Sequence, residues 1–195
     1  MTMQGFGKVA ARTAEYLLEE DAQLVVTDID EAALERARGI GLKVVAPEAI
    51  YDVECDIFSP CAMGGVLNSD TIPRLKCRVV AGGANDQLLT KADGEDLYRR
   101  GILYAPDYII NAGGAINIAA EIGMHYDLEW AREKTERIYG IMGRIIGISK
   151  QEEMPTAQVA DRLAEARLKS VQAIKKIHLP RRLEDRVDGV CRVGL

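Results

Sequence analysis

The sequence has no long apolar run and no excess of basic residues. No stretch approaches the roughly 18 apolar residues that span a membrane, and no signal segment opens the chain. The net charge is −5, whereas binding to nucleic-acid phosphates needs a basic face. We therefore expect a cytoplasmic protein with no membrane span and no nucleic-acid partner.

Cysteine and histidine are also scarce. The four cysteines show no C-x-x-C spacing, and the two histidines lie far apart with no cysteine or carboxylate at ligand spacing. Buried free thiols are the favoured interpretation, with metal and disulfide roles as the alternatives. We predict no metal site and no catalytic histidine. The residues concerned are Cys55, Cys61, Cys77, Cys191, His125 and His178.

A glycine-rich turn lies at the start of the chain, between a short strand and a helix predicted over residues 8–20. Its spacing, G-x-G-x-x-A, is that of a dinucleotide-binding fold. The first glycine permits a tight turn, the second lets the backbone approach a pyrophosphate, and Ala10 lets the helix pack closely on the strand. The helix start adds N–H groups and a positive dipole end. The predicted cofactor contacts here are Gly5, Phe6, Gly7, Lys8 and Val9.

Asp28 ends the second predicted strand, 23 residues after Gly5. That spacing is typical of the acidic residue that accepts hydrogen bonds from the adenosine ribose hydroxyls. A carboxylate there repels a 2′-phosphate, so the sequence predicts NAD rather than NADP, and Ile29 is included among the predicted contacts. The alternative role, a helix cap, fits Asp30 better because Asp30 directly precedes the next predicted helix.

Short apolar strands alternate with helices or crossover loops through the first two thirds of the chain. This pattern predicts an α/β fold, a doubly wound Rossmann-type parallel sheet with C-terminal helices. We expect a nucleotide-binding domain over 1–125, helices packed on it over 126–179, and a fraying tail over 180–195. The six predicted strands lie at residues 1–4, 23–28, 42–46, 56–60, 78–82 and 102–105.

Two further stretches carry amide side chains beside glycine pairs. Asn85 lies in Ala-Gly-Gly-Ala-Asn-Asp-Gln-Leu, where small residues let a flat ring approach and the amide can pair with a nicotinamide carboxamide. The alternative is an ordinary Gly/Asn turn. Asn111 precedes a second Gly-Gly and can hold a substrate carboxylate without a buried ion pair. Its alternative is a capping residue at a strand-to-helix turn.

These stretches together resemble the nucleotide-binding half of the glutamate, leucine, phenylalanine and valine dehydrogenases, and leucine dehydrogenases most. The resemblance covers roughly residues 1–170 and rests on G-F-G-K-V-A, V-T-D, C-D-I-F-S-P-C-A, A-G-G-A-N-D-Q-L, Y-A-P-D-Y-I-I-N-A-G-G-A-I-N and A-D-R-L-A-E. It implies that Cys61 and Ala62 pass near the adenine side of NAD, and that Ala84 and Asn85 lie at its nicotinamide end.

The resemblance also implies a substrate site. Asn111 would help to hold the substrate carboxylate and the nicotinamide ribose region, and Ala115 and Ile118 would line the side-chain pocket. Leucine dehydrogenases usually have valine at both of these positions, so a small Ala115 leaves room for a bulkier side chain. The implied reaction is the reversible oxidative deamination of a branched-chain amino acid, such as leucine, to a 2-oxo acid and ammonia.

Catalysis in this family needs a lysine in a G-G-x-K segment and an aspartate, both from an N-terminal substrate domain. The Gly-Gly pairs at 64, 82 and 113 are not followed by x-Lys. We therefore expect a chain that starts within its first strand, lacks the substrate domain and contains no catalytic residue. It would bind NAD but be inactive without a separate N-terminal domain, and a homo-oligomer is one expected assembly. The alternatives are a catalytically silent NAD-binding regulatory or scaffold module, and a different enzyme on the same fold.

Overall fold

The computed structural model describes residues 1–122 and 126–175. The predictions for His125, His178, Cys191, residues 176–179 and the tail 180–195 lie outside the described residues. Six parallel strands form one sheet in the order β3-β2-β1-β4-β5-β6. The strands are β1 (Thr2–Gln4), β2 (Val25–Thr27), β3 (Lys43–Val44), β4 (Ile57–Pro60), β5 (Val79–Val80) and β6 (Leu103–Tyr104).

Helices connect and follow these strands. Two 3-10 helices, Pro47–Asp52 and Ile72–Arg74, take the place of longer crossover helices between β3 and β5. The α-helices are α1 (Lys8–Glu19), α2 (Glu31–Gly39), α3 (Lys91–Arg99), α4 (Asp107–Ile110), α5 (Gly113–Ala120), α6 (Leu128–Glu152) and α7 (Thr156–Lys175). The predicted fold class is confirmed: this is a doubly wound Rossmann-type parallel sheet, and all six predicted strands are present.

The central strands are apolar because helices cover both faces of the sheet. Met3, Val26 and Val80 are fully buried on β1, β2 and β5. On α1, the small residues Ala10 and Ala14 are the buried ones, which lets this helix approach the sheet closely. The chain order of the strands reverses between β1 and β4, and ligands of such sheets bind outside the carboxyl ends of the strands at that point.

The structure divides into two compact units, Met1–Ala160 and Asp161–Leu195. The first unit contains the whole sheet together with α6, which packs against α4 and α5. In the second unit the described residues form the remainder of α7. The predicted domain boundaries at 125 and 179 stay predictions. Across residues 1–122 and 126–175, no helix is both long and apolar enough to cross a membrane.

Candidate cofactor-binding site

Most of the predicted site residues follow the carboxyl ends of neighbouring strands. Gly5 comes directly after β1, Asp28 after β2 and Cys61 after β4. The loop at residues 82–87, here called the Asn85 loop, begins two residues after β5. Backbone hydrogen bonds tie these ends together, because the Gly5 N–H donates to the Thr27 carbonyl at 2.8 Å and the Cys61 N–H donates to the Gln4 carbonyl at 2.7 Å.

The glycine turn, residues 5–9, needs glycine at position 5 and leaves space at position 7. Gly5 has a φ of +99°, and a Cβ on it would lie 2.8 Å from the Ala62 Cβ. A Cβ on Gly7 would meet no atom within 4 Å. Gly7 is also the N-cap of α1, with no capping side chain and no acidic residue in the first turn. The positive end of this helix therefore adjoins open space that an anion can fill.

The other residues of the glycine turn divide between core and surface. Phe6 is buried in the core, so only its backbone belongs to the turn. Its N–H is already used, since it donates to Asp28 Oδ2 at 2.6 Å. Lys8 and Val9 are exposed. A Cβ on Gly83 would lie 3.8 Å from Val9 Cγ1, which brings the start of α1 beside the Asn85 loop.

Asp28 is half-buried and accepts two backbone hydrogen bonds. Besides the Phe6 N–H, the Asp30 N–H donates to its Oδ1 at 2.9 Å. Burial acts to raise the pKa of Asp28, but the N–H groups of Phe6, Asp30 and Ile29 outweigh it and lower the pKa below the usual 3.8. Asp28 is thus an ionised acceptor at neutral pH. Asp30 is the N-cap of α2, as predicted, and Ile29 is exposed beside Asp28.

The loop after β4 lies between the glycine turn and the Asn85 loop and contacts both. Ala62 is exposed and lies against Gly5, whereas the half-buried Cys61 places its Sγ 3.2 Å from Ser59 Oγ. Further along, the Gly65 N–H donates to the Asp86 carbonyl at 2.7 Å. The loop after β4 therefore contacts both the glycine turn and the Asn85 loop.

Asn85 and Asn111 are brought together, although 26 positions separate them in the chain. Asn111 Nδ2 donates to Asn85 Oδ1 at 2.6 Å and to the Ala84 carbonyl at 3.3 Å. The Ala84 carbonyl can only accept, which fixes the orientation of the Asn111 amide and, through it, that of Asn85. Asn85 is exposed at the surface, Ala84 is buried and Asn111 is half-buried at the end of α4.

This orientation leaves the amino group of Asn85 as a donor and the side-chain carbonyl of Asn111 as an acceptor. Among residues 1–122 and 126–175, the Asn85 amino group and the Asn111 side-chain carbonyl have no hydrogen-bond partner. A primary carboxamide has the complementary pair, one acceptor and one donor. Conversely, the amino group with which Asn111 was predicted to hold a substrate carboxylate is already engaged by Ala84 and Asn85.

The predicted side-chain pocket residues lie on α5. Ala115 and Ile118 are three positions apart, so they share one face of this helix, and both are exposed. They are not part of the hydrogen-bonded group around Asn85. Across the part of the chain that the structure describes, no three His, Cys, Asp or Glu side chains come together as a metal site.

Three buried residues that support the Asn85 loop were not singled out from the sequence. Gln87 is fully buried and its amide donates to the carbonyls of Gly82 at 2.7 Å and Ala84 at 2.9 Å. Asp107 Oδ2 accepts the Asp86 N–H at 2.6 Å. Tyr104 donates to Asp107 Oδ1 at 2.9 Å. Their motifs were visible in the sequence, but no spacing rule links Asp107 to a loop 21 positions earlier.

Comparison with known proteins gives a consistent result. The family model for glutamate/leucine/phenylalanine/valine dehydrogenases matches residues 29–178. The chain belongs to this family. It is 45% identical over 92% of its length to a leucine dehydrogenase from Thermoactinomyces intermedius, and 46% identical over 88% to one from Geobacillus stearothermophilus. The predicted family, and its closeness to leucine dehydrogenases, are confirmed.

A solved relative shares the fold. The crystal structure of L-tryptophan dehydrogenase from Nostoc punctiforme matches with a TM-score of 0.83 and 43% identity, over 87% of this chain and 52% of that one. The match covers 49% and 47% of the two leucine dehydrogenases. The chain thus spans about half the length of the relatives that it matches.

Proposed function

We propose that this chain is the NAD-binding half of a leucine-type amino-acid dehydrogenase. One observation supports this most strongly. At the carboxyl ends of the central strands, the open space at the start of α1 lies next to the ionised Asp28 carboxylate and to the Asn85 loop. The pyrophosphate would lie in the space at Gly7, against the N–H groups of α1.

The two ends of the cofactor would take different sides of this space. Asp28 would accept the adenosine ribose hydroxyls, and its negative charge would oppose the 2′-phosphate of NADP. Cys61 and Ala62 would lie towards the adenine side. Asn85 would donate its free amino group to the nicotinamide carboxamide, and the free acceptor of Asn111 suits the carboxamide N–H.

The proposed reaction is the reversible oxidative deamination of a branched-chain amino acid. The glycine turn, Asp28 and Asn85 would hold NAD, which would supply a hydride acceptor for the amino-acid Cα. Water would then convert the imine formed from the amino acid to a 2-oxo acid and ammonia. For Asn111 to hold the substrate carboxylate, its amino group must leave Asn85 or Ala84. The lysine and aspartate that the family uses for proton transfer would come from a segment or chain outside these 195 residues.

The identity of the amino-acid substrate is the most specific part of the proposal. Identity to leucine dehydrogenases and to the solved tryptophan dehydrogenase is nearly equal, at 45% and 43%. Ala115 leaves room for a larger side chain than valine would, so leucine is proposed together with bulkier apolar amino acids. Homo-oligomer formation and a cytoplasmic location stay predictions.

The test is a calorimetric titration of the purified 195-residue chain with NADH and NADPH. We expect NADH to bind at least about tenfold more tightly, because one 2′-phosphate beside a carboxylate costs on the order of 1.4 kcal/mol or more. Failure to bind either dinucleotide would overturn the cofactor role. Assays of leucine, valine and tryptophan oxidation with and without an added N-terminal domain of a relative then test catalysis. NADH binding without turnover in either assay would favour the silent-module alternative.

A further inference from the structure

The Asn85 loop is held by buried side chains rather than by its own sequence. Gln87 turns the Gly82 and Ala84 carbonyls inward, towards its buried amide. A Cβ on Gly82 would lie only 2.1 Å from the Pro60 carbonyl oxygen, so the loop begins in contact with the end of β4. The exposed Asn85 therefore rests on a buried framework.

Asp86, the residue after Asn85, has a φ of +50°. This left-handed conformation is uncommon for residues other than glycine, although aspartate adopts it more readily than most, and a hydrogen bond from the surroundings stabilises it further. The support is a charge-assisted hydrogen bond, since the Asp86 N–H donates to the Asp107 carboxylate at 2.6 Å. The Asp86 carbonyl accepts from Gly65, so the same residue also anchors the loop after β4.

Asp107 is itself held in place. It is buried at 8% exposure, and the hydroxyl of Tyr104, at 3% exposure, donates to its second carboxylate oxygen at 2.9 Å. Burial, and then the neighbouring Asp107 charge, raise the pKa of Tyr104 far above its usual value, so the hydroxyl remains a donor. Both carboxylate oxygens of Asp107 are thus committed to fixed partners.

We propose that Asp107, steadied by Tyr104, is a positioning residue for the nicotinamide end of the cofactor. It acts through the Asp86 N–H, and it sets the turn that presents the Asn85 amide before any ligand arrives. A preformed amide binds more tightly because less conformational freedom is lost on binding. This inference rests on the proposed function, since Asn85 matters here only as a contact of the dinucleotide.

The proposal predicts a selective effect, because ADP-ribose lacks the nicotinamide ring but keeps the rest of the dinucleotide. In calorimetric titrations of the full chain, Asp107→Ala should weaken NADH binding about tenfold. ADP-ribose binding should change by less than about twofold. Asp107→Asn keeps an acceptor for Asp86 and should restore most of the NADH affinity. Tyr104→Phe removes only the steadying hydroxyl and should weaken NADH binding by about threefold.

The matched control is Asp127→Ala. Asp127 also accepts a backbone N–H, from Trp130 at 2.9 Å, but it caps α6 and makes no hydrogen bond to the Asn85 loop. Its loss should leave the ratio of NADH to ADP-ribose affinity unchanged. If Asp107→Ala does not fold, the ratio in Tyr104→Phe decides the matter, because that change keeps the carboxylate and the packing.

Two outcomes would overturn the inference while leaving the proposed function intact. Either the wild type binds NADH and the variants bind it with unchanged affinity, or the variants bind NADH and ADP-ribose more weakly by the same factor, as a general loss of folding would produce. If the wild type binds ADP-ribose but the nicotinamide adds no affinity, the positioning role is wrong as well. If the wild type binds neither NADH nor ADP-ribose, the proposed function is wrong, and the positioning role is wrong with it.

Discussion

The glycine turn and the Asn85 loop each contain a residue with positive φ, but a different feature stabilises it in each. In both, that residue lies where the chain turns beyond a strand. In the glycine turn that residue is Gly5, with a φ of +99°, and glycine adopts this conformation without a Cβ clash. In the Asn85 loop it is Asp86, with a φ of +50°, and the buried Asp107 carboxylate holds it there.

The comparison shows that one part of the site is formed mainly by residues close together in the chain, and the other by residues more than 20 positions apart. The motif of the glycine turn lies within residues 5–10, and the turn also contacts Asp28 at the next strand end and Ala62 beyond β4. The Asn85 loop depends on Asp107 and Asn111, which lie 21 and 26 positions further along the chain. The first arrangement can be recognised from one short segment, whereas the second also depends on contacts with Asp107 and Asn111 at the two ends of α4.

The largest expected effect is a loss of stability in the Asn85 loop. Gly82→Ala would place a Cβ 2.1 Å from the Pro60 carbonyl oxygen, which is backbone and cannot move aside cheaply. We expect the free energy of unfolding to fall by about 3 kcal/mol or more, measured by urea denaturation. Gly83→Ala is the matched control, because the nearest atom to its Cβ is 3.8 Å away. Equal stability of the two variants would contradict the close approach.

Two substitutions in the glycine turn should affect different properties, Gly5→Ala mainly the stability and Gly7→Ala mainly the NADH affinity. Gly5→Ala combines a positive φ with a contact of 2.8 Å to Ala62, so we expect a loss of about 1–3 kcal/mol in the free energy of unfolding. Gly7→Ala meets no atom within 4 Å, so the free energy of unfolding should fall by no more than the roughly 1 kcal/mol that alanine costs at an N-cap. Its methyl group would occupy the proposed pyrophosphate space and weaken NADH binding about tenfold. Unchanged NADH affinity in Gly7→Ala would place the pyrophosphate elsewhere.

The same contrast explains what the sequence could and could not predict. The glycine turn, Asp28 and the six strands follow from short-range patterns, because spacing and apolar periodicity reflect local geometry. Asn85 and Asn111 were recognised as separate candidates, but their hydrogen bond depends on how β5 and β6 lie side by side. The support from Gln87, Asp107 and Tyr104 was missed for the same reason. The short helices α4 and α5 were missed because glycine pairs and proline obscure their periodicity.

Asp28 should give a pH-dependent effect of moderate size. Its pKa is lower in the folded state than in the unfolded state, so its stabilisation is present above the usual pKa of 3.8 and is lost as the pH falls through the folded value. Asp28→Asn should lower the free energy of unfolding by about 1 kcal/mol at pH 6, with the difference from wild type vanishing towards pH 2. It should also narrow the preference for NADH over NADPH.

The control for Asp28 is Asp56→Asn. Asp56 is exposed and its carboxylate pairs with the exposed Arg78 at 2.7 Å, whereas the Asp28 carboxylate accepts backbone N–H groups beside the glycine turn. Its replacement should leave the dinucleotide preference unchanged at every pH. A stability difference for Asp28→Asn that persists at pH 2 would mean that the side chain stabilises the turn by packing and not by its charge.

The smallest expected effect comes from Asp86→Gly, which places glycine at the positive-φ position of the Asn85 loop, as Gly5 is placed in the glycine turn. Asp86→Gly removes the strain of a positive φ, worth about 1–2 kcal/mol, but glycine loses more freedom on folding, by about 0.5–1 kcal/mol. We expect a net gain of about 0.5 kcal/mol in the free energy of unfolding, whereas Asp86→Ala should lose stability. Because the glycine no longer needs to be held, Asp107→Ala should cost less in the Asp86→Gly background than in the wild type. An equal cost in both backgrounds would show that Asp107 stabilises β6 and α4 directly, independently of the left-handed turn.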